Sequence, residues 1–184
     1  MMSHMTSSAE LLSQAKFMEA NGSHGICIYD SAGSYDLERT KEVIQLLVEN
    51  LSIPIGFHGH NNLGLAVANS YVAIKTGAKI IDASICSYGA GAGNTQFEVL
   101  ASLLSSKAID TKINLSFLYD LVTYASSTYA KRKPFSYPLS IVSGMSGVFS
   151  GFANHVLNAS AINNINSLDL FKELGKIGIV GGQE

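Results

Sequence analysis

The sequence predicts an α/β fold, with a parallel sheet that forms about half of an eight-stranded barrel and a small helical domain after it. Short apolar runs alternate with amphipathic stretches over residues 1–110, at a period of about 25 to 30 residues that is typical of βα units. The alternation stops after Ile109, and residues 111–184 are predicted to be helical. A smaller open sheet is the alternative that fits the same pattern.

Three strand–helix units and the remnant of a further strand are predicted from the apolar runs and their caps. Ser7-x-x-Glu10 is a capping box that opens the first helix, and Asp36 is the predicted cap of the second. Thr95-x-x-Glu98 is predicted to cap a later helix. Because the chain begins inside a predicted strand, we expect a fragment of a longer barrel. The predicted strands are the remnant Met1–Met5, then Gly25–Tyr29, Ile53–His60 and Lys79–Ser84.

The C-terminal region is predicted to hold helices without alternating strands. The first of these helices places Phe117, Leu121 and Tyr124 on one apolar face, and Gly175 is predicted to close the last. We therefore separate residues 1–110, a partial barrel, from residues 111–184, a helical domain. The predicted helices are Ser116–Lys131, Gly147–Ala161 and Leu168–Leu174.

The composition indicates a globular protein with much of its surface covered. Charged residues make up 14% of the chain, against roughly 25% in an average domain, and the formal net charge is −2. This balance argues against a nucleic-acid binder, which usually carries a basic patch, and favours a barrel or an oligomer. Cys27 and Cys86 lack metal-type spacing, and no apolar stretch is long enough to cross a membrane. We therefore expect a cytoplasmic protein without a nucleic-acid or membrane partner.

His58-Gly59-His60 is the sharpest chemical feature of the sequence. Alternate residues of a strand point to the same face, so both imidazoles are expected to project together at the carboxyl end of the strand. Barrels of βα units place their catalytic groups at this end. Two neutral imidazoles can share one divalent cation, with a carboxylate and water as further ligands. The alternative is a pair of surface histidines, or histidines bonded to the backbone.

Residues at the same edge of the predicted sheet are candidates for a substrate pocket. The loop Gly89–Asn94 follows a strand, and its glycines let the backbone approach a ligand, unless the loop is only a tight turn. Asp30 and His4 follow neighbouring strands, although Asp30 also suits a cap on the turn after its strand. Asp82 lies inside a strand, where a buried carboxylate needs a partner that the sequence does not name. The candidate pocket residues are His4, Asp30, Asn62, Gly91, Gly93 and Asn94.

Six segments along the whole chain carry a recognisable pattern. They are MMSHM at 1–5, YDSAG at 29–33, GFHGHNNLGLAVANS at 56–70, DAS at 82–84, GAGAGN at 89–94 and VGGQE at 180–184. In this order and spacing they resemble the 4-hydroxy-2-oxovalerate aldolase family, in its C-terminal portion. These are metal-dependent pyruvate aldolases of the superfamily that includes hydroxymethylglutaryl-CoA lyase and isopropylmalate synthase.

The resemblance implies a fold, a metal and a partner. It implies about strands 5 to 8 of a TIM (β/α)8 barrel over residues 1–110, followed by a helical communication domain that docks on an acylating acetaldehyde dehydrogenase. It also implies a divalent metal, usually manganese, with His58 and His60 as two of its ligands. The family's third ligand, an aspartate, lies before the matched part of the chain, together with an arginine and a catalytic-base histidine.

One position of this chain departs from the family pattern. The family carries a tyrosine near the active site in a segment that reads VYSSF, and the matching residues 148–152 read VFSGF here. Phe149 therefore replaces that tyrosine. Because phenylalanine has no hydroxyl, it cannot donate a hydrogen bond or a proton.

The reaction implied by the resemblance is the retro-aldol cleavage of 4-hydroxy-2-oxovalerate, a small 2-oxo acid, to pyruvate and acetaldehyde. Such a class II carbon–carbon lyase stabilises a pyruvate enolate with its metal and serves the catabolism of aromatic compounds. Two alternatives stay open: a catalytically inactive module that binds metal or docks on the dehydrogenase, and an acyl-CoA condensing enzyme of the isopropylmalate synthase type. The GAGAGN loop and the VGGQE ending favour the aldolase over the condensing enzyme.

Overall fold

A three-stranded parallel sheet forms the centre of the first part of the chain. The computed structural model describes residues 2–129 and 138–181. The strands are β1 (Ile26–Asp30), β2 (Ile55–Gly59) and β3 (Ile80–Asp82), and they lie side by side in chain order. Both neighbouring pairs are parallel and are connected through helices, so the predicted α/β fold is confirmed.

Helices pack against the sheet and are the main elements of the rest of the described chain. They are α1 (Ser8–Ala20), α2 (Leu37–Asn50), α3 (Ala66–Thr76), α4 (Phe97–Ser106), α5 (Leu115–Thr128), α6 (Pro138–Ser146), α7 (Ala153–Asn163) and α8 (Ser167–Ile177). After β3, the part of the chain that the structure describes contains no further strand, as the loss of alternation predicts. None of the described helices combines the length and the apolar character needed to cross a bilayer.

One face of the sheet packs against helices and forms the main apolar core. Ile28 and Phe57 from the strands belong to one cluster with Val43, Ile44 and Leu47 of α2, and each is at most 5% exposed. Burying a side chain of this size stabilises a fold by about 1.5–3 kcal/mol. This core fixes the register of β1 against β2. The alignment of side chains on the opposite face of the sheet depends on that register.

The opposite face carries a row of polar side chains. Tyr29 of β1 pairs in register with His58 of β2, and His58 pairs with Asp82 of β3. Register partners in a sheet point to the same side, so the three side chains lie next to one another.

Two of the predicted helix starts are confirmed and one is wrong. The Ser7 side chain accepts a hydrogen bond from the first turn of α1 at 3.2 Å, and the Asp36 side chain accepts one from the first turn of α2 at 2.7 Å. Thr95 does not cap α4, whose first helical residue is Phe97. Its hydroxyl is instead buried against that of Ser70, at 2.8 Å, so a tertiary contact replaces the local cap.

The predicted strand remnant at the N-terminus is also wrong over its described residues. Ser3–Met5 form a turn of 3-10 helix. The Ser3 hydroxyl donates to the carbonyl of Tyr29 at 2.7 Å, and the Met2 amide donates to the Ser31 hydroxyl at 2.9 Å. These bonds tie the segment to the end of β1 without a strand ladder.

The helix predicted after residue 115 exists, but its predicted apolar face is exposed. Phe117, Leu121 and Tyr124 are 70%, 40% and 57% exposed, whereas Leu118 and Ala125 are buried. The reason is that α5 contacts α4 and the turn at residues 85–87 through the face that carries the buried pair. The end predicted for this helix, at Lys131, lies outside the described residues.

The C-terminal helices differ from the predicted ranges. The helix predicted over 147–161 begins at Ala153, after a turn of 3-10 helix at Ser150–Phe152, and α6 precedes it without having been predicted. The last helix does not end at Gly175 but continues to Ile177, and Gly178, whose φ is 72°, caps its end. A side chain at Gly175 would overlap the backbone of Ser146, so this glycine lets α8 lie close to α6. The final three residues of VGGQE lie outside the described part of the chain.

A second apolar cluster holds these C-terminal helices together. Val148, Phe152, Val156 and Phe171 are each at most 4% exposed and form its buried centre. The helical region therefore has a core of its own beside the sheet.

Candidate functional site

His58 and His60 lie side by side at the carboxyl end of β2. Their ring centroids are 5.1 Å apart and the rings are tilted by 54°. Gly59 between them is buried, and a side chain there would press on the Phe57 ring at 2.9 Å. The structure thus brings together the two imidazoles that strand alternation places on one face.

His58 is held by neighbours on both adjacent strands. Its ring stacks on that of Tyr29, with centroids 4.5 Å apart and planes 14° apart. Its Nδ1 lies 3.3 Å from Oδ2 of Asp82, and the same oxygen accepts a hydrogen bond from the Tyr29 hydroxyl at 3.2 Å. Burial and the Asp82 charge raise the pKa of Tyr29, so the phenol stays protonated and keeps donating to Asp82.

His60 lies in a more enclosed environment. Burial and, less strongly, the nearby His58 lower its pKa to about 4, although a hydrogen bond to the backbone of Ala90 acts in the opposite direction. His60 is therefore neutral near pH 7. Its Nδ1 is buried and has no hydrogen-bond partner among the described residues. Phe149 meets the ring edge-on, with centroids 6.4 Å apart.

The two imidazoles supply some of the ligands that a divalent cation needs, but not a complete set. Neutral imidazoles are common ligands of such ions, and a buried ring nitrogen without a protein partner is available to bind one. The residues that the structure describes contain no group of three or more His, Cys, Asp or Glu side chains placed to hold a metal. Within this chain, two residues therefore fit a metal site that needs further ligands.

The glycine-rich loop after β3 is packed against the segment that follows His60. The Asn61 amide donates to the Gly93 carbonyl at 2.8 Å, and the Gly93 amide closes a turn onto Ala90 at 2.9 Å. Gly91 has a φ of 59°, and a side chain there would overlap the Ser150 hydroxyl. The Asn94 amide group donates to the Tyr88 carbonyl at 3.0 Å. These contacts shape the loop as a tight turn beside His60.

Asn62 joins the end of β2 to the C-terminal helices. Its side chain is fully buried. Nδ2 lies 2.8 Å from the Ser150 hydroxyl, 3.3 Å from the Ser143 hydroxyl and 3.1 Å from the Ser140 carbonyl. Its Oδ1 has no hydrogen-bond partner among the described residues. Asn62 therefore links the helical region to the segment that carries His60.

Asp30 and His4 lie at the neighbouring end of β1. Both carboxylate oxygens of Asp30 accept backbone hydrogen bonds, from Ser34 at 3.0 Å and from Tyr35 at 2.9 Å, so Asp30 caps the turn after its strand. Burial raises its pKa, and these bonds partly offset the increase. His4 bonds through Nε2 to the Gly147 carbonyl at 2.8 Å, and burial lowers its pKa. His4 thus joins the N-terminal turn to the C-terminal region.

Two side chains at this site, Tyr29 and Ser150, were not selected from the sequence, and Asp82 was noted there without a partner. Tyr29 and Asp82 flank His58, and Ser150 bonds to Asn62. Tyr29 and Asp82 are recognised as neighbours of His58 only through the strand register, in which both are its partners. Ser150 carries no such signal, since its partner is 88 residues away.

Comparisons with known families match the two parts of the chain separately. Residues 1–124 match the HMGL-like family, and residues 135–184 match the DmpG-like communication domain. The curated 4-hydroxy-2-oxovalerate aldolases of Pectobacterium atrosepticum and Spirochaeta aurantia are 49% and 45% identical to this chain. Each match covers the whole of this chain and 54% of the relative. The chain therefore spans about half the length of the curated relatives that it matches.

Solved structures share the fold at low sequence identity. The carboxyl transferase domain of Rhizobium etli pyruvate carboxylase, solved with 3-hydroxypyruvate, superposes with a TM-score of 0.79 at 17% identity. The match covers 92% of this chain and 30% of that one. A second structure of the same domain, with pyruvate, has a TM-score of 0.76 at 16% identity over 91% of this chain and 29% of the other. These likenesses support the predicted barrel-type α/β architecture.

The family match and the observed fold lead to the same family assignment for residues 1–124. The matched part contains the parallel sheet and the His58–His60 pair, and it makes up about two thirds of the chain. The chain belongs to the HMGL-like family.

Proposed function

We propose that this chain is the C-terminal part of a metal-dependent aldolase that cleaves 4-hydroxy-2-oxovalerate to pyruvate and acetaldehyde. The observation that carries the proposal is the pair of imidazoles at the carboxyl end of β2, one of them with a buried and unpartnered nitrogen. The names of the curated relatives support the substrate, a 4-hydroxy-2-oxo acid. The reaction class is that of a carbon–carbon lyase.

His58 and His60 would hold the divalent cation, for which we propose Mn²⁺. A bound cation of this kind supplies a Lewis acid that stabilises the negative charge of a pyruvate enolate. The remaining ligands would come from outside this chain, which spans about half the length of its curated relatives. His60 contributes as a ligand in its neutral form, because burial keeps its pKa near 4.

The residues around the pair would shape the substrate pocket. Phe149 places an apolar ring edge-on against His60, so this wall excludes water and takes no part in proton transfer. Asn62 and the loop with Gly91, Gly93 and Asn94 would hold this part of the pocket in place, because their contacts fix the segment that follows His60. His4 and Asp30 would close the neighbouring end of β1.

The C-terminal helices would dock on an acylating acetaldehyde dehydrogenase. Residues 135–184 match the DmpG-like communication domain, which supports this partner. A largely apolar cavity of about 230 Å³ lies among these helices and is lined by Phe152, Val156, Leu170, Leu174 and Ile179 with two further residues. Direct passage to the dehydrogenase would protect a volatile, reactive aldehyde. The low charge content fits an oligomeric complex, for which we propose a cytoplasmic location.

A complementation assay tests the proposed activity. The chain is mixed with the N-terminal half of the Pectobacterium atrosepticum relative, and pyruvate release from 4-hydroxy-2-oxovalerate is followed with Mn²⁺ present. We expect pyruvate from the mixture, and loss of both pyruvate release and Mn²⁺ binding for His58→Ala. His24→Ala is the matched control, because His24 is an exposed histidine outside the site. Unchanged Mn²⁺ binding by His58→Ala would remove the site from the proposal.

A non-catalytic module is the second candidate. Phe149 favours it, because the ring beside His60 offers no hydroxyl for proton transfer. Such a module would bind Mn²⁺ and the dehydrogenase, and the complementation mixture would release no pyruvate. The same mixture supplied with an acyl-CoA and a 2-oxo acid tests for condensation of the isopropylmalate synthase type, which would show as release of free CoA.

A further inference from the structure

We propose that Asp82 is a positioning residue for His58, which it fixes in the tautomer that carries its hydrogen on Nδ1. The proposal rests on the proposed function, because it explains how this chain presents the other ring nitrogen, Nε2, to a metal ion. Asp82 itself would touch neither the metal nor the substrate. It acts on the site through the orientation and the tautomer of one imidazole.

The geometry that carries the proposal spans all three strands. His58 is the register partner of Asp82 on β3 and of Tyr29 on β1. The Asp82 carboxylate lies 3.3 Å from Nδ1 of His58 and accepts the Tyr29 hydroxyl at 3.2 Å. The Tyr29 ring also stacks on the imidazole at 4.5 Å. The stack on Tyr29 thus fixes the plane of the imidazole ring. The Asp82 carboxylate fixes the direction in which Nδ1 points.

An ionised carboxylate can only accept hydrogen bonds, so a bond to Nδ1 requires that this nitrogen carries the hydrogen. Nε2 of the neutral ring then keeps its lone pair. Ligating histidines commonly donate their other ring N–H to a carboxylate in this way, which orients the ring and raises its basicity. Among the described residues, the salt-bridge partner of Asp82 is His58 and no Lys or Arg. The carboxylate is therefore directed at the imidazole.

The partial exposure of Asp82 allows its effect on His58 to be tested without disturbing the fold. The side chain of Asp82 is 41% exposed, whereas that of His58 is 15% exposed. Replacing Asp82 by an isosteric amide therefore leaves the apolar core untouched, and the Asp82→Asn variant is expected to fold. Tyr29→Phe is the matched control, because it removes the second hydrogen bond to Asp82 and keeps the ring that stacks on His58.

The test measures the tautomer on the 184-residue chain, and the metal affinity on its mixture with the N-terminal half of the Pectobacterium atrosepticum relative. Long-range nitrogen–hydrogen NMR spectra of the metal-free protein report which nitrogen of His58 carries the hydrogen. We expect the Nδ1–H form in the wild type and in Tyr29→Phe, and a mixture of both forms in Asp82→Asn. Titration with Mn²⁺ is then expected to show an affinity about 10- to 100-fold weaker for Asp82→Asn, with partial recovery in Asp82→Glu.

The two readouts distinguish this proposal from the proposed function. An Asp82→Asn variant that keeps the Nδ1–H form and binds Mn²⁺ within about twofold of the wild type would overturn the role of Asp82. An equal loss of affinity in Tyr29→Phe would overturn it as well, because the effect would then come from the tyrosine. If the mixture with the wild-type chain binds no Mn²⁺ while Asp82→Asn loses the Nδ1–H form, the metal function is overturned and the tautomer assignment is supported.

Discussion

Asn62→Ala tests the link between the end of β2 and the C-terminal helices. The substitution removes a fully buried amide whose partners all lie on or beside the helical region. We expect the free energy of unfolding to fall by about 2–4 kcal/mol. The helices should also lose their fixed position relative to His60, since Asn62 lies two residues further along the chain.

The magnitude follows from the hydrogen bonds of one amide group. Three acceptors lie at 2.8, 3.1 and 3.3 Å from Nδ2, but an NH₂ group has two hydrogens and makes two strong bonds at a time. Each bond contributes about 1 kcal/mol, and a buried acceptor left without a donor costs about 1–3 kcal/mol more. The unpartnered Oδ1 is removed as well, which recovers part of that cost. The net value is therefore placed at about 2–4 kcal/mol.

Equilibrium unfolding in urea, followed by circular dichroism, measures this loss. Asn50→Ala is the matched control, because Asn50 is exposed and bonds only locally, to the Leu46 carbonyl at 2.9 Å. Its effect is expected within about 0.5 kcal/mol of the wild type. A double-mutant cycle with Ser150→Ala should give a coupling energy of about 1 kcal/mol. An Asn62→Ala variant as stable as the Asn50→Ala control would refute the reasoning.

Three further predictions concern buried groups around the site. Thr95→Val removes a buried hydroxyl that bonds to Ser70 at 2.8 Å, and urea unfolding should show a loss of about 1–3 kcal/mol. Gly91→Ala should cost more than the about 1–2 kcal/mol of a left-handed backbone, because its methyl group would overlap the Ser150 hydroxyl. Burial and then the Asp82 charge raise the pKa of Cys27 to about 12, so iodoacetamide should alkylate this thiol slowly at pH 8. Asp82→Asn lowers that pKa and should speed the alkylation.

The two stability predictions each have a control variant within the chain, and the alkylation prediction has a pH control. Gly64 has a φ of 74° and open space around it, so Gly64→Ala isolates the backbone cost, and equal losses at both glycines would exclude the overlap at Gly91. Thr76→Val removes a half-buried hydroxyl bonded within its own helix and should cost less than Thr95→Val. The alkylation rate of Cys27 should rise as pH approaches 12, because the thiolate is the reactive form. A rate unaffected by pH would contradict the raised pKa.

Features set by short-range contacts could be predicted from the sequence. The caps at Ser7 and Asp36 were predicted correctly because each bonds to a backbone amide three residues later. The shared direction of His58 and His60 follows from the pleat of one strand. Thr95 shows the limit of such reasoning, since its hydroxyl had a local amide to cap and instead bonds to Ser70, 25 residues away.

Features that depend on how distant segments meet could not be predicted. The partner of Asp82 became evident only when the register of β2 and β3 was known. The direction in which α5 faces depends on its packing against α4, so the sequence did not show that the apolar face with Phe117 is exposed. The contacts of Asn62 reach 78 to 88 residues along the chain, a distance over which no local pattern carries information.

The contact between Asn62, Gly91 and Ser150 has a consequence for evolution and for protein engineering. A larger residue at position 91 or 150 would push the two parts of the molecule apart, and an apolar residue at 62 or 150 would leave the other buried polar group without its partner. Substitutions at these three positions are therefore expected to occur together or not at all. A chimera that takes its C-terminal helices from a relative should carry matching residues at 62 and 91 across with them.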